Sequence, residues 1–145
     1  MSKTPRIFLD TNIALDLIQN RQPYSLDALQ LFALAEAGRL KLLLSTDSIS
    51  TIFYVVEKNN NALKAREAIA KLLDYVELCS LNEPIVLHAM MLDFVDVEDA
   101  LINSVAENAG ADMILTRNIK DFKNATVPVR TPPEFLASLH AVRPS

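Results

Sequence analysis

The chain is predicted to be an α/β protein, one parallel sheet with helices on both faces. Three observations carry the prediction. Short apolar runs, too brief for helices, alternate with longer segments whose apolar residues recur at helical spacing. Residues that favour turns and helix caps stand between them. The composition, 145 residues of which 50% are hydrophobic and 22% charged, suits one globular domain spanning 1–145 with a single sizeable core.

Arg6-Ile-Phe-Leu9 is the first apolar run, and it ends at Asp10-Thr-Asn12. It reads as a buried strand that delivers a carboxylate at its C-terminal end. A short helix fits Ile13 to Ile18, and Arg21-Gln-Pro23 breaks it. The next helix starts near Ser25, with Leu26, Leu29, Phe32, Ala33 and Ala37 at helical spacing and Gly38 as its C′ residue. Lys41 to Leu44 is a second strand, after which Asp47-Ser48 can cap a helix that places Ile49, Ile52, Phe53 and Val56 on one face. Asn59-Asn-Asn61 separates it from a helix over Ala62 to Leu73 that turns Lys64, Arg66 and Lys71 outward. Tyr75 to Leu78 is a third strand. Asn82-Glu83-Pro84 then opens a helix with Pro at N1, running to about Phe94. Asp96 caps the next, whose apolar face is Leu101, Ile102, Val105 and Ala109 and whose end is Gly110. Met113 to Leu115 is a fourth strand ending at Thr116-Arg-Asn118, Val127 to Arg130 a possible fifth, and Pro132-Pro133 begins a short final helix.

Low counts exclude several function classes. Gly38 and Gly110 are the only glycines, so neither a Walker A loop nor a GxGxxG turn is present. One cysteine, Cys79, forbids an intrachain disulfide, and His88 and His140 do not complete a Cys/His zinc set. Any metal would be held by oxygen. Behind Lys3 and Arg6 the apolar stretch is only Ile7-Phe8-Leu9, too short for a signal peptide or a spanning helix. The expectation is a soluble, cytoplasmic protein without membrane contact.

In open α/β sheets ligands sit beyond the carboxyl ends of the strands. Asp10 and Asn12 follow the first strand, and Asn118 and Asp121 follow the fourth. Asp96, Glu98 and Asp99 open the helix that precedes the fourth strand, with Asp96 and Asp99 on one helix face. Converging carboxylates without Cys or His suit a hard, partly hydrated ion, Mg²⁺ or Mn²⁺, completed by substrate phosphate. Such a site activates water for in-line phosphoryl displacement. Each piece alone also has a structural reading, because Asp10, Asp96 and Asn118 all stand where helix caps are common. His88 reads as a helix-face residue and Cys79 as a core one. The joint arrangement at one end of one sheet is what points to function.

Three blocks together resemble the PIN domain family, many of whose members are ribonuclease toxins of the VapC type. They are Ile7-Phe-Leu-Asp10-Thr-Asn12-Ile-Ala-Leu-Asp-Leu-Ile18, Asp96-Val-Glu-Asp99-Ala-Leu-Ile-Asn-Ser-Val-Ala106 and Ile114-Leu-Thr116-Arg-Asn118-Ile-Lys-Asp121-Phe122. The resemblance implies a Rossmann-like sheet of about four or five strands and an endoribonuclease dependent on Mg²⁺ or Mn²⁺. It also implies a homodimer and, for a toxin, a small antitoxin partner. Asp10 falls on the family's first acid and Asp99 on the acid that opens the helix before the fourth strand. Asn12 and Thr116 match supporting polar positions. By this resemblance Asp10, Asp99 and Asp96 hold the metal, Asp121 and Asn118 assist, and Arg117 and Thr51 stand among the supporting positions. Two departures are visible. Thr51 occupies the slot where the family often has a helix Glu, and Asn118 replaces the Asp of a common Thr-x-Asp ending.

Two further readings compete. A PIN fold with a thinned acid set also describes a catalytically weakened RNA-binding or protein-interaction module. A haloacid-dehalogenase-like phosphatase also places an Asp after its first strand, but it wants a second Asp where Asn12 stands.

The 14 basic and 18 acidic residues leave a formal charge of −4, which alone argues against a simple electrostatic nucleic-acid binder. The charge is strongly partitioned, however. From residue 72 to 116 there are nine acids and no Lys or Arg, so the other hundred residues carry +5. Lys58, Lys64, Arg66, Lys71, Arg117, Lys120 and Lys123 are therefore expected to be free to meet phosphate, beside an acid block that a metal would partly neutralise.

Overall fold

The structure is a computed structural model and describes residues 4–142. Its five strands are β1 (Arg6–Leu9), β2 (Lys41–Ser45), β3 (Val76–Cys79), β4 (Met113–Leu115) and β5 (Val129–Arg130). They form one sheet in the order β3-β2-β1-β4-β5. Every pairing is parallel, as predicted. β1 lies at the centre, flanked by β2 and β4, and Ile7, Phe8 and Leu9 are all essentially unexposed. From β1 the chain first builds outward through β2 and β3. It then crosses back to lay β4 on the other side of β1, so strand order reverses between β1 and β4. The crevice outside the carboxyl ends of those two strands is where such sheets bind ligands.

The period-2 alternation of the strands divides the core into two layers. Ile7, Leu9, Leu42, Leu44 and Leu115 face a layer made by α1 (Thr11–Ile18), α2 (Ser25–Glu36), α3 (Thr46–Asn59), α4 (Ala62–Leu72) and α7 (Pro132–Val142). Phe8, Leu43 and Ile114 face the opposite layer, made by α5 (Glu83–Met90), α6 (Val97–Asn108) and a 3₁₀ turn over Ile119–Phe122. The edge strands are short, and β5 contributes two residues only.

The caps explain most boundaries. Asn61, Asn82 and Asp96 each accept a backbone N–H with the side chain, opening α4, α5 and α6. Gly38 and Gly110 follow the ends of α2 and α6 at φ +75° and +69°, the left-handed conformation that glycine alone adopts freely. Elsewhere the sequence boundaries shift. α3 starts earlier than Asp47-Ser48, because Ser45 accepts from Asp47 N and is the true cap. α5 stops at Met90 rather than near Phe94, and Leu92 to Phe94 form a turn that sends the Phe94 ring edge-on to Phe122 at 5.9 Å. Pro84 sits at N2 there, with Glu83 at N1. β3 is displaced by one residue, β5 is shorter than predicted, and the final helix is longer, at 11 residues. No helix among the described residues is long and apolar enough to cross a membrane.

Candidate active site

Asp10 is the residue immediately after β1, and its backbone is bonded to the end of β4 (Asp10 N to Leu115 O, 3.0 Å). It takes the N-cap position of α1 without a capping hydrogen bond. Instead its Oδ2 accepts from Thr116 Oγ1 at 2.8 Å. Thr116 is fully buried directly after β4, and its hydroxyl oxygen accepts in turn from Asn118 N at 3.2 Å. Burial pushes the Asp10 carboxyl above its ordinary range. The Thr116 hydroxyl, the nearby amides of Thr11 and Asn12, and Arg117 pull it back.

Asp99 lies in the first turn of α6, partly buried, and is pushed up to about 7. Desolvation is the largest cause, followed by the charges of Asp96, Asp10, Asp121 and Glu98. Four carboxylates from three separate stretches of chain therefore converge electrostatically on Asp99. Asp96 is exposed, and its Oδ1 is engaged as the α6 cap, accepting from Glu98 N at 2.7 Å. Asp96, Asp99 and Asp121 line a cavity of about 340 Å³ together with Lys120 and Lys123. Acids and bases thus share this face. Lys64 and Lys71 line a separate groove on α4 instead.

The other predicted residues divide. Asn118 supports Thr116 through its backbone and caps no helix with its side chain. Asn12 is exposed and its Oδ1 accepts from Arg21 at 3.3 Å, so Arg21 rather than Asp10 is its direct partner. Arg117 is held by Asp16 while its charge still acts on Asp10. Its Nε lies 3.2 Å from Asp16 Oδ2, and its guanidinium carbon sits 4.0 Å from the Tyr24 ring centroid. Thr51 belongs to α3 and lines neither cavity beside the acids.

Sequence reasoning missed Asp16, Tyr24 and Asp47. Asp16 is an acid on α1 with only 1% exposure, and an acid amid Ala14, Leu15 and Leu17 was the available signal. Burial raises its carboxyl, while Arg117 and Arg21 lower it. Asp47, read as a cap, is freed by Ser45, and its charge instead helps to raise Glu98, after burial and Asp96.

The donor set is entirely oxygen, which fits Mg²⁺ or Mn²⁺. Among the described residues no three Asp, Glu, His or Cys side chains form a ready cage. Mg²⁺ does not need one, because it keeps several waters and binds through one or two carboxylates plus phosphate. Burial is the main cause of the rise at Asp99, and the repulsion from Asp96, Asp10, Asp121 and Glu98 that adds to it is what a cation would relieve.

A parallel sheet with its central strand delivering an acid to the strand-order reversal, and a second acid on the helix leading into β4, defines a Rossmann-like protein with a carboxylate site. Residues 6–120 match the family model of the PIN domain, and the chain belongs to that family. It is 29% identical over 135 residues to Ribonuclease VapC1 of Aquifex aeolicus (strain VF5), covering 90% of this chain and 92% of that protein. Among solved structures it is similar to DNA-bound VapBC from Salmonella typhimurium, at TM-score 0.71 and 16% identity, covering 89% of this chain and 99% of that one. VapBC2 from Rickettsia felis, bound to a DNA fragment from its promoter, gives TM-score 0.68 and 21% identity over 87% and 98%. A toxin–antitoxin complex from Klebsiella pneumoniae gives 0.65 and 25% over 87% and 97%.

Proposed function

We propose that this protein is a metal-dependent endoribonuclease and the toxin of a toxin–antitoxin pair. The observation that carries the proposal is the placement of Asp96, Asp99 and Asp121 around one cavity at the end of the sheet where Asp10 emerges, with burial first and the charges of Asp96, Asp10, Asp121 and Glu98 after it pushing Asp99 up to about 7. Similarity to Ribonuclease VapC1 supports the reaction, and similarity to the Klebsiella pneumoniae complex supports an antitoxin partner.

Asp10 and Asp99 would hold Mg²⁺ or Mn²⁺, with Asp96 and Asp121 reaching it through water. The ion supplies charge neutralisation at the scissile phosphodiester and Lewis acidity toward the attacking water. Thr116 fixes the Asp10 carboxylate through Oδ2. Asn118 braces the Thr116 hydroxyl. Lys120 and Lys123 attract the RNA backbone on the open side of the acids. The exposed apolar residues Val86, Leu87, Met90, Met91, Val95 and Val97, on and after α5, offer a surface for a protein partner, either a second copy in a homodimer or the antitoxin.

The test is Mn²⁺ titration by calorimetry into wild type and Asp10→Asn, together with cleavage of an RNA panel with and without chelator. Binding and cleavage by wild type, both lost in the variant, support the proposal. Cleavage that survives chelation, or equal behaviour of the two proteins, rejects it. Absence of cleavage with RNA binding retained favours a non-catalytic RNA-binding module, the reading to which the carboxylate-free positions Thr51 and Asn118 lend weight.

A further inference from the structure

A groove of about 600 Å³ lies between the end of α1, the end of α3 and the first turns of α4. Its polar lining is Gln19, Asn20, Arg21, Asn59, Asn60 and Lys64, and none of the described residues lining it is acidic, in a chain whose formal charge is −4. Ile18, Val56 and Ala68 make up the rest. The hydrogen bonding at Arg21 is one-sided. Arginine only donates, so Gln19 and Asn12 must turn their amide oxygens to it, Nε reaching Gln19 Oε1 at 3.1 Å and Nη1 reaching Asn12 Oδ1 at 3.3 Å. The NH₂ groups of Gln19 and Asn12 are left without a partner among the described residues. Lys64 is exposed and makes no ion pair among the described residues, although Glu67 lines an adjoining groove beside it. The carbonyl ends of α1 and α3 also point here, but those of Leu15, Asp16 and Leu17 accept from the amides of residues 19–21, and those of Val56 and Glu57 from Asn60 N. The groove therefore presents chiefly donors and cations.

We infer that this groove carries the backbone of the RNA strand on one side of the cleaved bond, with Arg21 and Lys64 each meeting a phosphate and the free NH₂ groups of Gln19 and Asn12 donating to phosphate or ribose oxygens. This rests on the RNA-cleaving reading above and extends the site beyond its acids. Arg21 is the link between the two. It follows the end of α1, yet its side chain reaches back to Asn12 on the first turn of that helix, two residues beyond Asp10. The eight residues of α1 span about 12 Å, so a strand crossing the acids reaches the groove within a few nucleotides. A lining of donors and cations suits a ligand rich in acceptors, and phosphate contacts of this kind hold a strand in register without reading its sequence. Asp16, 3.8 Å from Arg21, does not cancel the positive charge, because that one buried carboxylate is shared with Arg117 and so stands against two guanidiniums. A protein segment fits less well, since it would bring apolar side chains to a groove whose apolar lining is Ile18, Val56 and Ala68.

The experiment uses the whole chain in chelator, so that binding is separated from cleavage. Fluorescently labelled single-stranded RNA of about 12 nucleotides is titrated at several salt concentrations into wild type, Arg21→Gln, Lys64→Gln and Arg39→Gln. Arg39 precedes β2 at the amino end of the sheet, so its variant is an equal loss of charge far from the groove. Lys64 is exposed, which keeps the test independent of any folding defect in Arg21→Gln. Each groove variant should lower the slope of log K against log salt by about 0.7, a loss of about fivefold in affinity at about 0.1 M salt, while Arg39→Gln stays within about twofold of wild type. Mn²⁺ affinity should be the same in all four proteins. Unaltered slopes in both groove variants, or equal weakening in Arg39→Gln, overturn the inference. So does a polyglutamate peptide of similar length that binds as tightly as the RNA and loses as much in the groove variants, which would assign the groove to an acidic protein segment. RNA cleaved by the groove variants with the KM of wild type rejects the groove alone. RNA bound through Arg21 and Lys64 but never cleaved with Mg²⁺ or Mn²⁺ upholds the groove and rejects the nuclease reading.

Discussion

Thr116 Oγ1 donates to Asp10 Oδ2 at 2.8 Å, joining residues 106 positions apart at the one junction where the strand order of the sheet reverses. The bond forms because β1 and β4 are paired in register, Leu9 opposite Leu115, so the next residue of each strand is brought alongside the other. It holds the Asp10 carboxylate and opposes the rise in pKa that burial causes.

Thr116→Val keeps the shape and removes the hydroxyl. Loss of a hydrogen bond to a charged group should destabilise by about 1.5–3 kcal/mol, lowering Tm by about 2–4 °C per kcal/mol. The Asp10 pKa should rise further, so Mn²⁺ affinity near neutral pH should fall as well. Thr116→Ser should restore both. A Val variant that matches wild type in Mn²⁺ binding would remove Thr116 from the site.

The architecture was legible in the sequence because burial on both sheet faces leaves its mark as short continuous apolar runs at β1, β2 and β4, while the edge strands β3, interrupted by Glu77, and β5, two residues long, follow from the alternation with helices. Asp10, Asp99 and Thr116 were legible for the same reason, since position after a strand or on a helix's first turn fixes where a side chain emerges. Asn12 and Arg117 were placed beside the acids by adjacency alone. The Asn12 amide and the Arg117 charge do act on Asp10, but their side chains are held by long-range partners, Arg21 for Asn12 and Asp16 with Tyr24 for Arg117, and no local pattern encodes such partners. The early end of α5 escaped notice because Leu92 and Phe94 keep helical apolar spacing while packing from a turn.

Asp99 makes apo stability depend on pH in a definite direction. Its ordinary value is 3.8 and its folded value about 7, so between these the native state binds more protons than the unfolded chain. Stability of the metal-free protein should therefore fall as pH rises from about 4 to 7. Asp99→Asn should raise Tm at pH 8 and have little effect at pH 4. Mg²⁺ should raise the wild-type Tm more at pH 8 than at pH 5, because the cation meets carboxylates already ionised. A pH-independent Tm for apo wild type, measured by calorimetry from pH 4 to 8, contradicts the electrostatic reading of this cluster.

The Asp16–Arg117 pair should respond asymmetrically to mutation. Asp16 has 2% side-chain exposure against 29% for Arg117, so the carboxylate is the partner that cannot be rehydrated. Arg117→Ala leaves that charge buried with only Arg21 at 3.8 Å, and should destabilise by on the order of 3 kcal/mol. Asp16→Asn leaves an arginine that can turn to solvent, and should destabilise less. The Arg117→Ala deficit should shrink as pH falls, because Asp16 can then take up a proton. Denaturant melts of both variants at pH 5 and pH 8 check the order and the pH trend. Equal losses at both pH values would show that the pair contributes through packing and not through charge.

Asn103 anchors the far side of the site. It is fully buried on α6, one turn beyond Asp99, where its Nδ2 donates to Thr126 Oγ1 at 2.9 Å and its Oδ1 accepts from Thr126 N at 3.0 Å. This two-way amide contact fixes the segment between Asp121 and β5 against α6, and with it the wall carrying Lys120 and Lys123. Asn103→Ala leaves the Thr126 N–H without its acceptor and opens a small void. The expected loss is about 2–4 kcal/mol. Asn103→Asp keeps the acceptor for Thr126 N but places a further negative charge on the helix that carries Asp99. It should therefore resemble wild type more closely at acid pH than at pH 8. Hydrogen exchange at the Thr126 amide reads the effect directly: protection should collapse in the Ala variant and persist at low pH in the Asp variant. Unchanged protection of Thr126 in Asn103→Ala would mean that another group holds this segment.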